Sequence, residues 1–185
     1  THCQFESSVT LATGVGCGGT PPTTSFRFPR PGEEALVMGV INLSAESFYE
    51  DSRCETPEQA LQVAERMIAE GADVLDIGAE SSRPGSVPLS EQEELNRLLP
   101  IVKKLAESVN IPISVDTYKP AVAHEVLQAG ASIINDITGL QKFPDMAKTI
   151  ARFQAGAILM HMQGTPETMQ DNPKYVDLLT EISTF

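Results

Sequence analysis

The stretch VLDIGAESSRPG, from Val74 to Gly85, decides how the chain reads. Its first half is an apolar run of strand length, and its second half is polar and loop-forming, with Pro84 and Gly85 as the stop. The same pattern recurs on both sides. VMGVIN (Val37 to Asn42) runs into LSAESF, and ISVDT (Ile113 to Thr117), IINDI (Ile133 to Ile137) and ILMHMQGTPETMQ (Ile158 to Gln170) follow. A polar residue at the end of a buried strand is costly unless it meets a partner, so several of them in one chain indicate a shared pocket at the strand ends.

Between the strands the periodicity turns helical, which is the signature of βα repeats around a parallel sheet. Strands are expected at Val37 to Asn42, Asp73 to Gly78, Pro112 to Asp116, Ser132 to Asp136 and Ala155 to His161. Thr56, with Pro57 at the first helical position, opens a helix whose Ala60, Leu61, Ala64, Met67 and Ile68 share one face, and Gly71 stops it. Ser90 with Glu93 reads as a capping box for a second helix, in which Pro100 predicts a kink or a break. A third helix is expected over Lys119 to Ala129, a fourth over Pro144 to Phe153, and a fifth from Pro173 onward.

Five such units occupy Val37 to Phe185. At about 30 residues each, eight would need roughly 240, close to the ~250 typical of a (β/α)8 TIM barrel. A doubly wound sheet of five strands would also fit the length, but its usual Gly-rich turn after the first strand is missing: Leu43 to Asp51 is polar, acidic and without Gly. The expected fold is therefore α/β, a (β/α)8 TIM barrel truncated after about five βα units. Residues 36–185 form the barrel domain, incomplete at its C-terminal side. Residues 1–35, rich in Thr, Gly, Ser and Pro, read as an irregular leader expected to be disordered.

Composition narrows the function classes. The chain has 185 residues, is 41% hydrophobic and carries a net charge of −12, so no basic block exists to neutralise nucleic-acid phosphates or an anionic membrane. No apolar run reaches transmembrane length. Cys3, Cys17 and Cys54 are odd in number and unpatterned, which indicates neither a disulfide framework nor a zinc site, and reads as a cytoplasmic protein with reduced thiols. An anionic small molecule remains compatible, because a local Arg, a metal ion or backbone N–H groups override net charge.

The motifs resemble the dihydropteroate synthase family. MGVINLSAESFYEDS is similar to its first signature and GADVLDIGAESSRPGS to its second, and ISVDTYKPAVA, INDITG and MHMQGTPETMQ follow in the family's order and at similar spacing. The resemblance covers Val37 to about Asp177. It implies a (β/α)8 barrel that condenses 4-aminobenzoate with (7,8-dihydropterin-6-yl)methyl diphosphate, giving 7,8-dihydropteroate and diphosphate. It also implies Mg²⁺ at the substrate diphosphate, and the family is often a homodimer through its last helices.

Beside the resemblance, the residues can be read one by one. Asn42 closes the first strand, where an amide oxygen suits a hard cation, and the resemblance makes it a Mg²⁺ ligand. Its other reading is a loop-capping Asn. Asp116 and Asn135 end apolar strands and offer the acceptors and donor that a pterin edge requires; the resemblance assigns both to the pterin, and without it each reads as a satisfied strand-end polar group. Ile137 and Met160 are the expected apolar walls for the ring. Asp76 and Asp136 are given supporting roles, with Asp136 facing away from Asn135. In the loop after the second strand, Ser82 offers a hydroxyl near the pterin, Arg83 a cation for diphosphate or for a neighbouring acidic loop, and Pro84 a rigid turn for the aryl ring. Phe48, in the first loop, is placed to cover the aminobenzoate. His161 reads as a structural hydrogen-bonder.

The implied chemistry needs little acid–base power, since loss of diphosphate leaves a pterin-stabilised cation that the neutral amine captures. Two departures from the family pattern stand out. Ser44-Ala45-Glu46 replaces the usual Thr-Pro-Asp, and Gly78-Ala79-Glu80-Ser81-Ser82 replaces Gly-Gly-Glu-Ser-Thr, changes that bear on arylamine specificity. The family's sixth-strand Asp, its Ser-Arg-Lys segment and its final Arg-x-His have no counterpart up to Phe185, so the catalytic residues are unknown here and the piece alone is expected to be inactive. The alternatives are a non-catalytic or methyl-transfer pterin-binding barrel, and a relative that uses a modified arylamine.

Overall fold

The computed structural model describes residue 29 and residues 32–43, 54, 56–81, 87–165, 168–169 and 172–185. Strands and helices alternate along it: β1 (Met38–Asn42), α1 (Pro57–Ala69), β2 (Val74–Gly78), α2 (Glu91–Ser108), β3 (Ile113–Asp116), α3 (Pro120–Gln128), β4 (Ile133–Asp136), α4 (Asp145–Phe153), β5 (Gly156–Leu159) and α5 (Leu178–Thr184). The strands form one parallel sheet in the order β1-β2-β3-β4-β5. A doubly wound sheet would reverse its order at a switch point, whereas laying each strand beside its predecessor keeps the helices on one face and curls the sheet toward closure. The fold is α/β, with its five βα units arranged as in a (β/α)8 barrel.

Side-chain alternation gives the sheet two different faces. Ile41, Leu75, Ile77, Ile113, Val115 and Ile134 point toward the helices and pack with Ala60, Ala64, Leu98, Val102, Leu105, Val122, Val126 and Met146 into one buried core. Gly39 belongs to this outer face. A Cβ there would lie 2.8 Å from Met67 Sδ and 3.5 Å from Ala72 Cβ, so its absence lets α1 rest close on β1. The inner face carries Val40, Asp76, Ser114 and Ile133, and its last row consists of Asn42, Gly78, Asp116 and Asn135, which are paired in register across four strands. β1 and β5 are the edges of the sheet, where Val37, Met38, Val40 and Leu159 are exposed.

The helix starts follow from local chemistry. Thr56 Oγ1 accepts from the Gln59 N–H while the Gln59 side chain accepts from the Thr56 N–H, and Ser90 with Glu93 makes the same reciprocal box. Gly71, at φ 104°, ends the turn after α1. A break at Pro100 and a helix start at Pro173 are not found. Pro100 does not divide α2, which runs as one element with Leu98, Ile101, Val102 and Leu105 buried on the core side of the proline; that burial outweighs a cost of about 3 kcal/mol for an interior proline. The fifth helix begins at Leu178, not at Pro173. Lys174 is held out of helical geometry because its N–H donates to Gln163 Oε1 and its carbonyl accepts from Gln163 Nε2, and Asp177 caps the helix by accepting from the Thr180 N–H.

Candidate functional site

The polar row at the strand ends is set up by carboxylates, two of which behave differently. Asp76, buried on β2, accepts from Ser114 Oγ on β3 at 2.5 Å and from Asn135 Nδ2 on β4 at 3.1 Å. Burial pushes its carboxyl above the ordinary range, and the two hydrogen bonds only partly offset that. Because Asn135 gives its NH₂ to Asp76, its amide oxygen is turned away from Asp76 as an available acceptor. Asp116 stands beside Asn135 in the strand register. Among the described residues no donor reaches its carboxyl group, and burial together with the negative charges of Asp76, Glu94, Glu80 and Asp136 pushes it up to about 8.

Gly78 is the neighbour of Asp116 in the row on β2. A Cβ there would sit 3.5 Å from Asp116 Cβ and 3.6 Å from its Oδ2, so Gly78 leaves one side of the carboxyl open. A small recess open to solvent at this point is lined by Glu80, Ser81, Glu94, Asp116, Thr117, Tyr118 and Ile137.

Its far wall is an ion cluster. Lys119 Nζ lies 2.6 Å from Glu80 Oε2 and 2.5 Å from Glu94 Oε2, with all three side chains largely out of solvent. Glu80 also accepts from Tyr118 Oη at 2.7 Å and from the Leu89 N–H at 2.9 Å. Burial works against ionisation of Glu80, but the bonds from Lys119, Tyr118 and Leu89 together hold it below the ordinary range. Burial likewise opposes the charge on Lys119, and its two carboxylate partners prevail and raise it. Burial and the Glu80 bond push the Tyr118 phenol up to about 12, so it is a donor at neutral pH.

The structure sorts the residues singled out in the sequence. Asp116 and Ile137 meet in the pocket, and Asn135 adjoins Asp116 through the register with its amide donating to Asp76. Asp136 faces the other way, as alternation requires: Oδ1 takes the Thr138 N–H and hydroxyl, Oδ2 takes the Leu140 N–H, and the turn after β4 is fixed. Met160 follows β5 at a half-buried position with its N–H on the Asp136 carbonyl; it lies beside Gly139 and not in the lining of the Asp116 pocket. His161 has its Nδ1 3.4 Å from Tyr175 Oη and its ring edge-on to Phe185. Asn42 is half-buried at the end of β1, opposite Gly78. Phe48, Ser82, Arg83 and Pro84 fall outside the described residues.

The cluster of Glu80, Glu94, Tyr118 and Lys119 was not singled out in the sequence. One signal was present. Glu94 falls on the face of α2 that also carries Leu98, Ile101 and Leu105, and a carboxylate on an apolar stripe predicts a buried cation partner.

A donor set for a cation can be tested on the same residues. Among the described residues no three His, Cys, Asp or Glu side chains converge as a metal cage. An amide oxygen such as that of Asn42 fits a hard divalent cation only when the substrate supplies most of the ligands, which a diphosphate does.

Residues 38–185 match the family described as pterin binding enzyme. The chain is 40% identical over 151 residues to the dihydropteroate synthase of Clostridium beijerinckii, covering 82% of this chain and 54% of that protein. Among solved structures, the Yersinia pestis dihydropteroate synthase in complex with a sulfonamide drug superposes with a TM-score of 0.75 at 47% identity, covering 81% of this chain and 54% of that one. The Burkholderia cenocepacia dihydropteroate synthase complexed with 7,8-dihydropteroate gives 0.68 at 44% identity, covering 83% and 51%. The chain thus spans about half the length of the relatives it matches.

Proposed function

The chain belongs to the pterin binding enzyme family, and from that premise we propose that it is part of a dihydropteroate synthase, a transferase of folate biosynthesis. The reaction joins 4-aminobenzoate to (7,8-dihydropterin-6-yl)methyl diphosphate and gives 7,8-dihydropteroate and diphosphate. One observation carries the reading. An Asp116 carboxyl without a protein donor among the described residues stands next to an Asn135 amide whose oxygen is left available, at the strand ends of a βα barrel arrangement. Two adjacent acceptors suit the N–H-rich edge of a pterin, and Ile137 supplies an apolar wall beside them.

The remaining assignments follow on that basis. Ser82, Arg83 and Pro84 belong to the substrate loop after β2, Met160 is a further wall of the ring site, and Phe48 covers the arylamine. Asn42 contributes one ligand to Mg²⁺, which neutralises charge on the substrate diphosphate when bound. Asp116 and Asn135 hold and orient the ring, so that the CH₂ carbon faces the incoming amine. The C–O bond to diphosphate breaks, the C–N bond forms, and the resulting ammonium loses its proton to solvent. No strong base is required, because the neutral aromatic amine is itself the nucleophile. Cytoplasmic location and homodimerisation of the full-length protein complete the reading; no described helix is long and apolar enough to cross a membrane.

The test is to express the complete gene product, supply both substrates with Mg²⁺, and follow formation of 7,8-dihydropteroate by chromatography. Turnover that disappears in Asp116→Asn is the expected result. Pterin binding without any arylamine transfer would overturn the synthase reading in favour of a pterin-binding or methyl-transfer barrel. Turnover only with a substituted arylamine would shift the substrate while keeping the reaction class.

A further inference from the structure

Lys119 has the most unusual position of any cation in the described structure. It lies at the start of α3, with no side-chain cap of its own for the helix, and its ammonium group points back under the pocket to bond Glu80 and Glu94. Through Glu80 it reaches further. Glu80 Oε2 also accepts the Leu89 N–H, so this one carboxylate pins together the two ends of the connection between β2 and α2. Glu94 brings in the first turn of α2, and Tyr118 fastens Glu80 from the β3 side.

We propose that Lys119 is a positioning residue of the Asp116 pocket: by sharing its ammonium group between Glu80 and Glu94 it fixes the base of the β2–α2 connection and sets the charge that Asp116 faces. The inference rests on Asp116 being a substrate-binding group. Its geometric basis is that both partners of Lys119, Glu80 and Glu94, line the same pocket as Asp116. Among the described residues, the charges that raise the Asp116 carboxyl are those of Asp76 from β2, Glu80 from the connection after it, Glu94 from α2 and Asp136 from β4. Lys119 is the cation bonded to two of them. A single ammonium against two carboxylates leaves one negative charge on that wall, enough to be felt in the pocket while keeping both carboxylates ordered.

Charge arithmetic makes this testable. Lys119→Met leaves the wall with two negative charges, Glu80→Gln with none, and the double variant restores one. The measurement is the pH midpoint of the Asp116 carboxyl in the complete, unliganded protein, read by carbon NMR on labelled Asp and assigned by its loss in Asp116→Asn. Relative to wild type the midpoint should fall by roughly one pH unit in Glu80→Gln, rise in Lys119→Met and return in the double variant. Glu80→Gln is nearly isosteric, so it decides the matter even if Lys119→Met does not fold. A midpoint that stays within a tenth of a unit in every folded variant would overturn the proposal and leave the cluster a purely structural tie.

Binding of 6-hydroxymethylpterin, followed by fluorescence over the same pH range, separates this inference from the function on which it rests. Shifted midpoints with no pterin binding by the wild type would remove the functional reading and retain the charge coupling. Pterin binding with coincident midpoints would do the reverse.

Discussion

Two groups of carboxylates lie in or beside one pocket, and only one of them is answered by a cation among the described residues. Glu80 and Glu94 close on Lys119, with Tyr118 and the Leu89 N–H completing the shell of Glu80, and Glu80 sits below the ordinary carboxylate range. Asp76 and Asp116, a few residues away on β2 and β3, have no ion-pair partner among the described residues, and both sit above it. Burial is common to the two groups, so the difference comes from partners. The paired group behaves as structure, because its polar atoms are satisfied within the chain. In the second group Asp76 is hydrogen-bonded by Ser114 and Asn135, while Asp116, which no donor reaches among the described residues, keeps capacity that a ligand rich in N–H groups can use.

The contrast can be broken most forcefully at its paired side. Lys119→Met strands two carboxylates out of water and should cost about 3 to 5 kcal/mol of stability in the complete protein, measured by urea unfolding at neutral pH. A loss below about 1 kcal/mol would mean that the cluster is solvated and the contrast false. On the unpaired side the effect should appear in binding instead. Measured above pH 8, where the carboxyl is ionised, Asp116→Asn should weaken pterin binding by about 10- to 100-fold, the range expected for lost charge-assisted hydrogen bonds, without a matching loss of stability. Equal binding by the variant would remove Asp116 from the site.

The two groups should also respond to pH with opposite sign. Asp116 is raised from 3.8 to about 8, so between those values the folded state holds a proton that the unfolded state has lost, and stability falls as pH rises through that window. Glu80 is lowered, so its contribution is present above the ordinary carboxylate range and is lost as pH falls through the depressed folded value. Urea midpoints collected from pH 4.5 to 8 should slope downward in the wild type and more weakly in Asp116→Asn. A slope that does not change would show that Asp116 is not the group responsible. The smallest effects belong to single neutral donors. Ser114→Ala, which removes a bond to Asp76, and Tyr118→Phe, which removes one to Glu80, should each cost about 1 kcal/mol. Asn135 should become less well ordered in Ser114→Ala, readable in its side-chain amide NMR signals, and not in Tyr118→Phe.

Much of this was legible in the residues. Each strand was expected within one or two positions of where it lies, because a short apolar run between polar stops leaves little choice. Thr56 and Ser90 were readable as helix starts because capping is a local bond between residues three apart. The helix is not broken at Pro100 because the cost of an interior proline is local while the burial that outweighs it is tertiary. The fifth helix starts only at Leu178 for a like reason, since Gln163, far from Lys174 in sequence, holds the backbone there. Asp116 and Asn135 could be proposed from their place at strand ends, but the orientation of Asn135 depends on Asp76, whose bonds reach across to β3 and β4.

The sequence alone determined the βα rhythm, the capped helices, the polar strand ends and the family resemblance, because each of these is written in periodicity or in motifs of contiguous residues. The tertiary structure decided which carboxylates are paired. Glu80, Glu94 and Lys119 are separated by 14 and 25 residues, and Asp76 and Asn135 by 59. Whether a charge meets a partner at those separations depends on strand order and register, which bring the residues within bonding distance only once the sheet has formed.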